Sequence, residues 1–283
     1  MSDQARTTNE IGSIHRTARR LTAAGEELLD EVVAEEVAVA LVYNGISHAV
    51  MMATPCDLED FARGFSLTER IVEKPSEIYD IEVEDADMQC SGRGIEVHLR
   101  IANQRMAALQ GRRRTLAGRT GCGLCGVDSI QEALRPVAQA TSQGIVQRRA
   151  IERAMAALPE WQHINKSNGA THAAGWATAD GTLIAAREDV GRHNALDKLA
   201  GALARLESAT PGAVTPGGFV VVTSRCSYEM VHKAAAIGAA AIAAVSAPTS
   251  LAIEVAEEAG IALVAFVRSG RLTAYANANL IAP

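Results

Sequence analysis

Residues 217–267 read GGFVVVTSRCSYEMVHKAAAIGAAAIAAVSAPTSLAIEVAEEAGIALVAFV. Three short apolar runs, GGFVVVTS, AAIAAVS and IALVAFV, alternate with two stretches of helical spacing that begin at Ser227 and Ser250. Strands that are apolar at every position, not every second one, belong to a sheet covered on both faces. Their alternation with helices is the pattern of an α/β layer fold. Upstream, THAAGWATADGTLIAAREDVG (171–191) adds two strands around Ala179-Asp180-Gly181, and VGRHNALDKLAGALARLE (190–207) adds a long helix. Residues 166–283 therefore form a C-terminal α/β domain.

The first half follows another pattern. In AVALVYNGISHAVMMAT (38–54) two apolar runs flank Asn44-Gly45, a strong hairpin signal. PCDLEDFARGFSLTERIV (55–72) predicts a helix with Asp57 as N-cap and Leu58, Phe61, Ala62, Phe65 and Ile71 on one face. EIYDIEVE (77–84) and GIEVHLRI (94–101) alternate as strands. The whole is thus α/β, α+β overall, in five parts. Residues 1–35 are a polar extension expected to fray, and 36–110 a smaller N-terminal α+β domain. Residues 111–127 are a basic loop with a CxxC pair, 128–165 a helical connector, and 166–283 the α/β domain.

A chain of 283 residues, 48% hydrophobic and 21% charged, can bury a core without disulfides. A net charge of −6 argues against gripping nucleic-acid backbone. The longest apolar candidate, AAAIGAAAIAAV (234–245), falls short of the ~18 residues a membrane helix needs, so no membrane insertion is expected. The N-terminus lacks a secretory signal, and the cysteines number five, an odd count. A cytoplasmic chain with reduced thiols is the expectation.

GCGLCG (121–126) places Cys122 and Cys125 three apart among glycines. Zinc would need a second ligand pair, yet Cys56, Cys90 and Cys226 stand alone, so no metal site is expected. A redox disulfide belongs at a strand-to-helix junction, where the helix lowers one thiol pKa. Sulfur carriage needs a reachable, ionised thiol, and Arg112, Arg113, Arg114 and Arg119 just upstream favour sulfur anions. Flanking glycines let the backbone swing. Zinc stays open only through distant ligands or dimerisation, the redox reading stays open, and the arginines favour sulfur carriage.

REDVGRHNALDK (187–198) crowds Asp189, Arg192, His193 and Asn194 at a strand-to-helix junction, the place where α/β sheets bind ligands. Asp189 also suits a helix cap, and His193 and Asp197, four apart, share one side of the helix. TSRCS (223–227), SAPTS (246–250) and FVRSGR (266–271) each follow an apolar strand. Ser224, Arg225, Ser246, Thr249 and Ser250 offer hydroxyls, a guanidinium and helix N-termini suited to a large phosphorylated ligand.

RTGCGLCG, GATHAAGW, REDVGRHNALDKL, TSRCSYEMVHKAA, SAPTSLAIEVAEEAG and FVRSGR, in this order, resemble the FdhD family of accessory proteins that make formate dehydrogenases active. The resemblance extends upstream to about residue 35. It implies a sulfurtransferase that receives sulfur from a cysteine desulfurase as a persulfide on Cys122, with Cys125 as partner. The acceptor it implies is the Mo-bis(molybdopterin guanine dinucleotide) cofactor of formate dehydrogenase, which a guanine nucleotide such as GDP would mimic. Phe266, Val267, Arg268, Ser269, Gly270 and Arg271 match the family's cofactor segment, and His172 of GATHAAGW joins the cofactor candidates. A cytidine-deaminase-like three-layer domain and a homodimer are further implications. Deamination itself is rejected, because the zinc-binding P-C-x-x-C is absent. This sequence departs from the family pattern at Arg63 and Arg70, which replace an apolar residue and a glycine, and at Cys226. The alternatives are a cofactor chaperone without chemistry of its own and a thiol-disulfide oxidoreductase.

Overall fold

The computed structural model describes residues 12–86, 93–117, 137, 139, 144–268 and 270–283. Its first element corrects an expectation. Within the segment expected to fray, β1 (Ser13–Thr22) and β2 (Gly25–Ala34) pair as an antiparallel hairpin. Apolar periodicity misses it because charge pairs line it: Arg19 with Glu26 at 3.0 Å, Arg20 with Glu31 at 3.3 Å, His15 with Asp30 at 2.8 Å. Opposite charges across a strand pair stabilise it much as apolar pairs do.

β3 (Val37–Tyr43) and β4 (Ile46–Ala53) form the hairpin expected at Asn44-Gly45, whose φ values of 46° and 80° suit a tight turn of positive φ. Helix α1 (Leu58–Thr68) follows, then β5 (Ile78–Asp85), β6 (Gly94–Ile101) and α2 (Asn103–Ala117). The sheet order is β4-β3-β6-β5. Leu58, Phe61, Ala62 and Phe65 of α1 and Met106 and Leu109 of α2 pack on Val39, Leu41, Val97 and Leu99. Asp57 stands at the N-cap with φ 52°, but its side chain caps nothing; it lies 3.5 Å from Arg187 instead. Because α2 is helical through Ala117, the loop expected from residue 111 does not begin before 118. Residues 118–127, with Cys122 and Cys125, lie outside the described residues.

A short strand β7 (Val146–Gln147) leads into α3 (Arg148–Ala157), and α4 (His163–Asn168) precedes the second sheet. That sheet contains β8 (His172–Ala177), β9 (Leu183–Asp189), β10 (Phe219–Val222), β11 (Ala241–Ala244), β12 (Ala262–Arg268) and β13 (Arg271–Ala276). Its order is β13-β12-β11-β10-β8-β9, and β14 (Ile281–Ala282) returns to pair with β7. The helices are α5 (Arg192–Ala209), α6 (Tyr228–Ala236) and α7 (Ser250–Ala259). Both faces are covered, as the continuous apolar runs require. Val220, Val222, Ile242 and Leu263 meet α5, α6 and α7, while Phe219, Val221, Ala243 and Val264 meet α3. The segment expected as a connector thus supplies the third layer, through Ala150, Ile151 and Ala154.

The two sheets meet where α1 crosses α5, and glycines allow the close approach. A Cβ on Gly201 would collide with the Asp60 carbonyl, and one on Gly64 with backbone atoms of Asp197 and Gly201. Backbone cannot yield as a flexible side chain does. Gly201→Ala is therefore expected to destabilise the protein by about 3 kcal/mol, the upper end for overpacking. Chemical denaturation measures it, and an unchanged midpoint would refute the steric reading.

Candidate functional site

The parallel strands β10, β11 and β12 end at one edge of the sheet, where antiparallel β8 begins with His172 and β9 ends with Asp189. One edge therefore collects the strand-end loops singled out in the sequence, REDVGRHN, TSRCS, SAPTS and the turn of FVRSGR. Backbone bonds tie them together: Cys226 N–H donates to the Ala247 carbonyl (3.1 Å) and Thr249 N–H to that of Cys226 (3.0 Å). Phe266 N–H donates to the Ser246 carbonyl at 3.4 Å.

A cavity of about 460 Å³ opens at this edge. Thr223, Val245, Val267, Arg268, Gly270 and Arg271 line it from the strand ends, and Glu152, Met155, Leu158, Pro159 and Gln162 from α3 and the turn after it. Its volume lies within the roughly 300–1,000 Å³ of small-molecule sites. β12 reaches it through a bulge in which Phe266 adopts φ 54°, with the Arg268 guanidinium 5.9 Å from the Phe266 ring. The structure does not describe Ser269. Other loop candidates serve the fold: Thr249 caps α7 by accepting the Ala252 N–H, and buried Ser224 donates to the Arg225 carbonyl. Arg225, Ser246 and Ser250 are exposed at the edge.

The polar cluster of REDVGRHNALDK divides. Asp189 and Lys198, both fully buried, pair at 2.7 Å. Asp189 also accepts the N–H groups of Thr54 (3.0 Å) and Gly191 (2.8 Å). Asn194 donates to the carbonyl of Met52 and to Asp189, and Lys198 to the carbonyl of Thr54. These groups join the C-terminal domain to the end of β4. Gly191, not Asp189, occupies the N-cap position of α5. His193 and Asp197 do share a side, and what they face is α6: His193 meets Glu229 at 2.8 Å, and Asp197 pairs with Lys233 at 2.8 Å. Burial opposes the Lys233 charge, but the carboxylates of Asp197 and Glu69 prevail and raise its pKa. His193 lowers the pKa of Glu229.

His172 and Arg192 remain toward the edge. Burial, then the nearby Arg192 cation, lowers the pKa of His172 and favours its neutral ring. The Nε of Arg192 is buried with no partner among the described residues. The two described thiols are poor nucleophiles. Burial pushes Cys56 up to about 11 and Cys226 up to about 12, and Cys226 is a core residue. Among the described residues, no three His, Cys, Asp or Glu side chains gather as metal ligands, and no helix is long and apolar enough to cross a membrane. Sequence reasoning missed Glu152 and Arg148, which looked like ordinary helix charges; only the packing of α3 beside the strand ends reveals them.

Residues 34–282 match the FdhD/NarQ family. A relative from Cupriavidus necator, named sulfur carrier protein FdhD, is 54% identical over 254 residues, covering 89% of this chain and 85% of its own. One of the same name from Xanthomonas campestris pv. campestris is 47% identical over 280 residues, covering 98% and 95%. Among solved structures, a candidate formate dehydrogenase accessory protein from Desulfotalea psychrophila superposes with a TM-score of 0.73 at 25% identity. That match covers 96% of this chain and 100% of the other.

Proposed function

This chain belongs to the FdhD/NarQ family, and from that premise we propose that it is a sulfur carrier serving formate dehydrogenase. Cys122 takes a sulfane sulfur from a cysteine desulfurase as a persulfide, and Cys125 helps to release it. The acceptor is the Mo-bis(molybdopterin guanine dinucleotide) cofactor, held at the edge of the six-stranded sheet. The carrying observation is the cavity lined by Arg268, Gly270 and Arg271, two cations and an open backbone turn that joins β12 to antiparallel β13. Guanidinium groups suit phosphate through paired charge-assisted bonds. A volume of about 460 Å³ fits one nucleotide end of so large a cofactor. The remainder would extend along the edge toward Arg192 and His172. The protein works in the cytoplasm as a homodimer in this reading.

GDP, as a stand-in for the nucleotide end, tests the cavity. Arg271→Ala is expected to weaken GDP binding by roughly 10- to 100-fold, the worth of a hydrogen bond to a charged group. Isothermal titration reads the loss. Equal affinity in the variant would remove Arg271 from the proposal, whereas a thiol-disulfide oxidoreductase would show no nucleotide binding and a disulfide-reducing activity that Arg271→Ala leaves unchanged.

A further inference from the structure

Glu152 lines the same cavity as Arg268 and Arg271 but comes from α3, the helical layer, not the strand ends. Arg148 holds it, with Nε 3.0 Å and Nη2 2.8 Å from Oε1. Among the described residues no hydrogen bond engages Oε2. The same guanidinium donates to the Gly270 carbonyl at 2.9 Å, so the carboxylate is tied to the turn between Arg268 and Arg271.

Helix stability alone gives little reason for this pair. Arginine four residues before glutamate is the weaker order of an i,i+4 pair. With side chains 49% and 32% exposed, the pair contributes less than about 1 kcal/mol. Arg148 offsets the charge of Glu152, so the carboxylate brings an acceptor to the cavity rather than a net anion, and phosphate has no use for an acceptor. A carboxylate in such a place suits a ligand that carries donors as well as phosphates.

We propose that Glu152 sets the base specificity of this cavity, accepting the two adjacent N–H donors of a guanine-type base while Arg268 and Arg271 take its phosphates. The proposal rests on the reading that the cavity holds the nucleotide end of the cofactor. A carboxylate is an acceptor only. Guanine presents a ring N–H beside an exocyclic amine, which one carboxylate can receive together. Adenine presents a bare ring nitrogen there, whose lone pair faces the carboxylate, and hypoxanthine keeps the ring N–H but lacks the amine. Met155, Leu158 and Val267 supply apolar walls for the faces of the ring. A site built around such a pairing discriminates strongly, because the wrong base leaves its polar groups unmatched.

Titration of the full chain with GDP, IDP and ADP tests this. The wild type is expected to bind GDP about tenfold more tightly than IDP and about 100-fold more tightly than ADP, given the worth of bonds to a charged acceptor. Glu152→Gln should narrow the GDP-to-ADP ratio to about threefold or less, whereas Arg271→Ala should weaken all three ligands alike. Should Glu152→Gln fold poorly, Glu152→Ala reads the same ratio. A wild type indifferent to the base, or a Glu152 variant with an unchanged ratio, overturns the assignment. GDP binding that still depends on Arg271 would then leave the cavity as a nucleotide site. No nucleotide binding by the wild type overturns both.

Discussion

Cys122→Ala is expected to abolish sulfur loading and to reduce formate dehydrogenase activation to background. After incubation with a cysteine desulfurase and cysteine, intact-mass measurement of the wild type should show an added ~32 Da, one sulfur as a persulfide. The variant should show none, and Cys125→Ala should retain the adduct. No described thiol can substitute, because burial raises Cys56 to about 11 and Cys226 to about 12, leaving almost no thiolate at neutral pH. Release is balanced within the pair. In the proposed function the Cys125 thiolate would attack the Cys122 sulfur, forming a Cys122–Cys125 disulfide and releasing the terminal sulfur as sulfide to the acceptor. The sulfane sulfur gains the two electrons that the thiols lose. An unmodified wild type would favour a chaperone that only holds the cofactor, and an adduct surviving in Cys122→Ala would move the chemistry to another thiol.

How far the sequence carried depends on which force built each element. Apolar patterning revealed both sheets and most helices, because burial on one or two faces leaves a period in the residues. The Ser13–Ala34 hairpin escaped because its order comes from Arg and Glu facing each other across strands, and a list of charges looks the same in a disordered segment. Arg70 is a second case. Read in the sequence only as a departure from a glycine of the resembled pattern, Arg70 adopts φ 54°, a backbone constraint that its residue type alone did not reveal. Left-handed backbone costs an L-residue about 1–2 kcal/mol, which explains the glycine and leaves the arginine as a strained exception.

The site was legible as an edge but not as a set of contacts. Strand ends that share an edge follow from alternation alone, so Arg268 and Arg271 came out beside Thr223. Which polar groups at that edge point outward does not follow. Asp189, Asn194, Asp197 and Lys198 share the helix start with His193, yet they turn inward because β4, α1 and α6 pack there. A polar residue in a strand-to-helix junction serves ligand and neighbouring layer with the same chemistry. Only the tertiary partner tells them apart.

Lys198→Met puts that distinction to a severe test. It removes the ammonium from a pair in which both side chains are fully buried and leaves the Asp189 carboxylate without its cation. The Thr54 carbonyl loses one of its two donors and keeps the Cys56 N–H. Breaking a buried pair from one side costs about 3–5 kcal/mol, which in a chain of this size lowers the melting temperature by roughly 10 °C. Adding Asp189→Asn should recover part of the loss, since the residual charge is then gone and the amide oxygen can still accept from Gly191 and Asn194, although its NH2 group then faces the Thr54 N–H. If instead these groups held the cofactor, Lys198→Met would leave stability nearly unchanged and weaken GDP binding. The expected result is the opposite: a large loss of stability, with GDP affinity of the folded protein near that of the wild type, because the cavity at Arg268 and Arg271 is lined by other residues. Thermal unfolding and titration below the melting temperature, on the same preparation, decide between them.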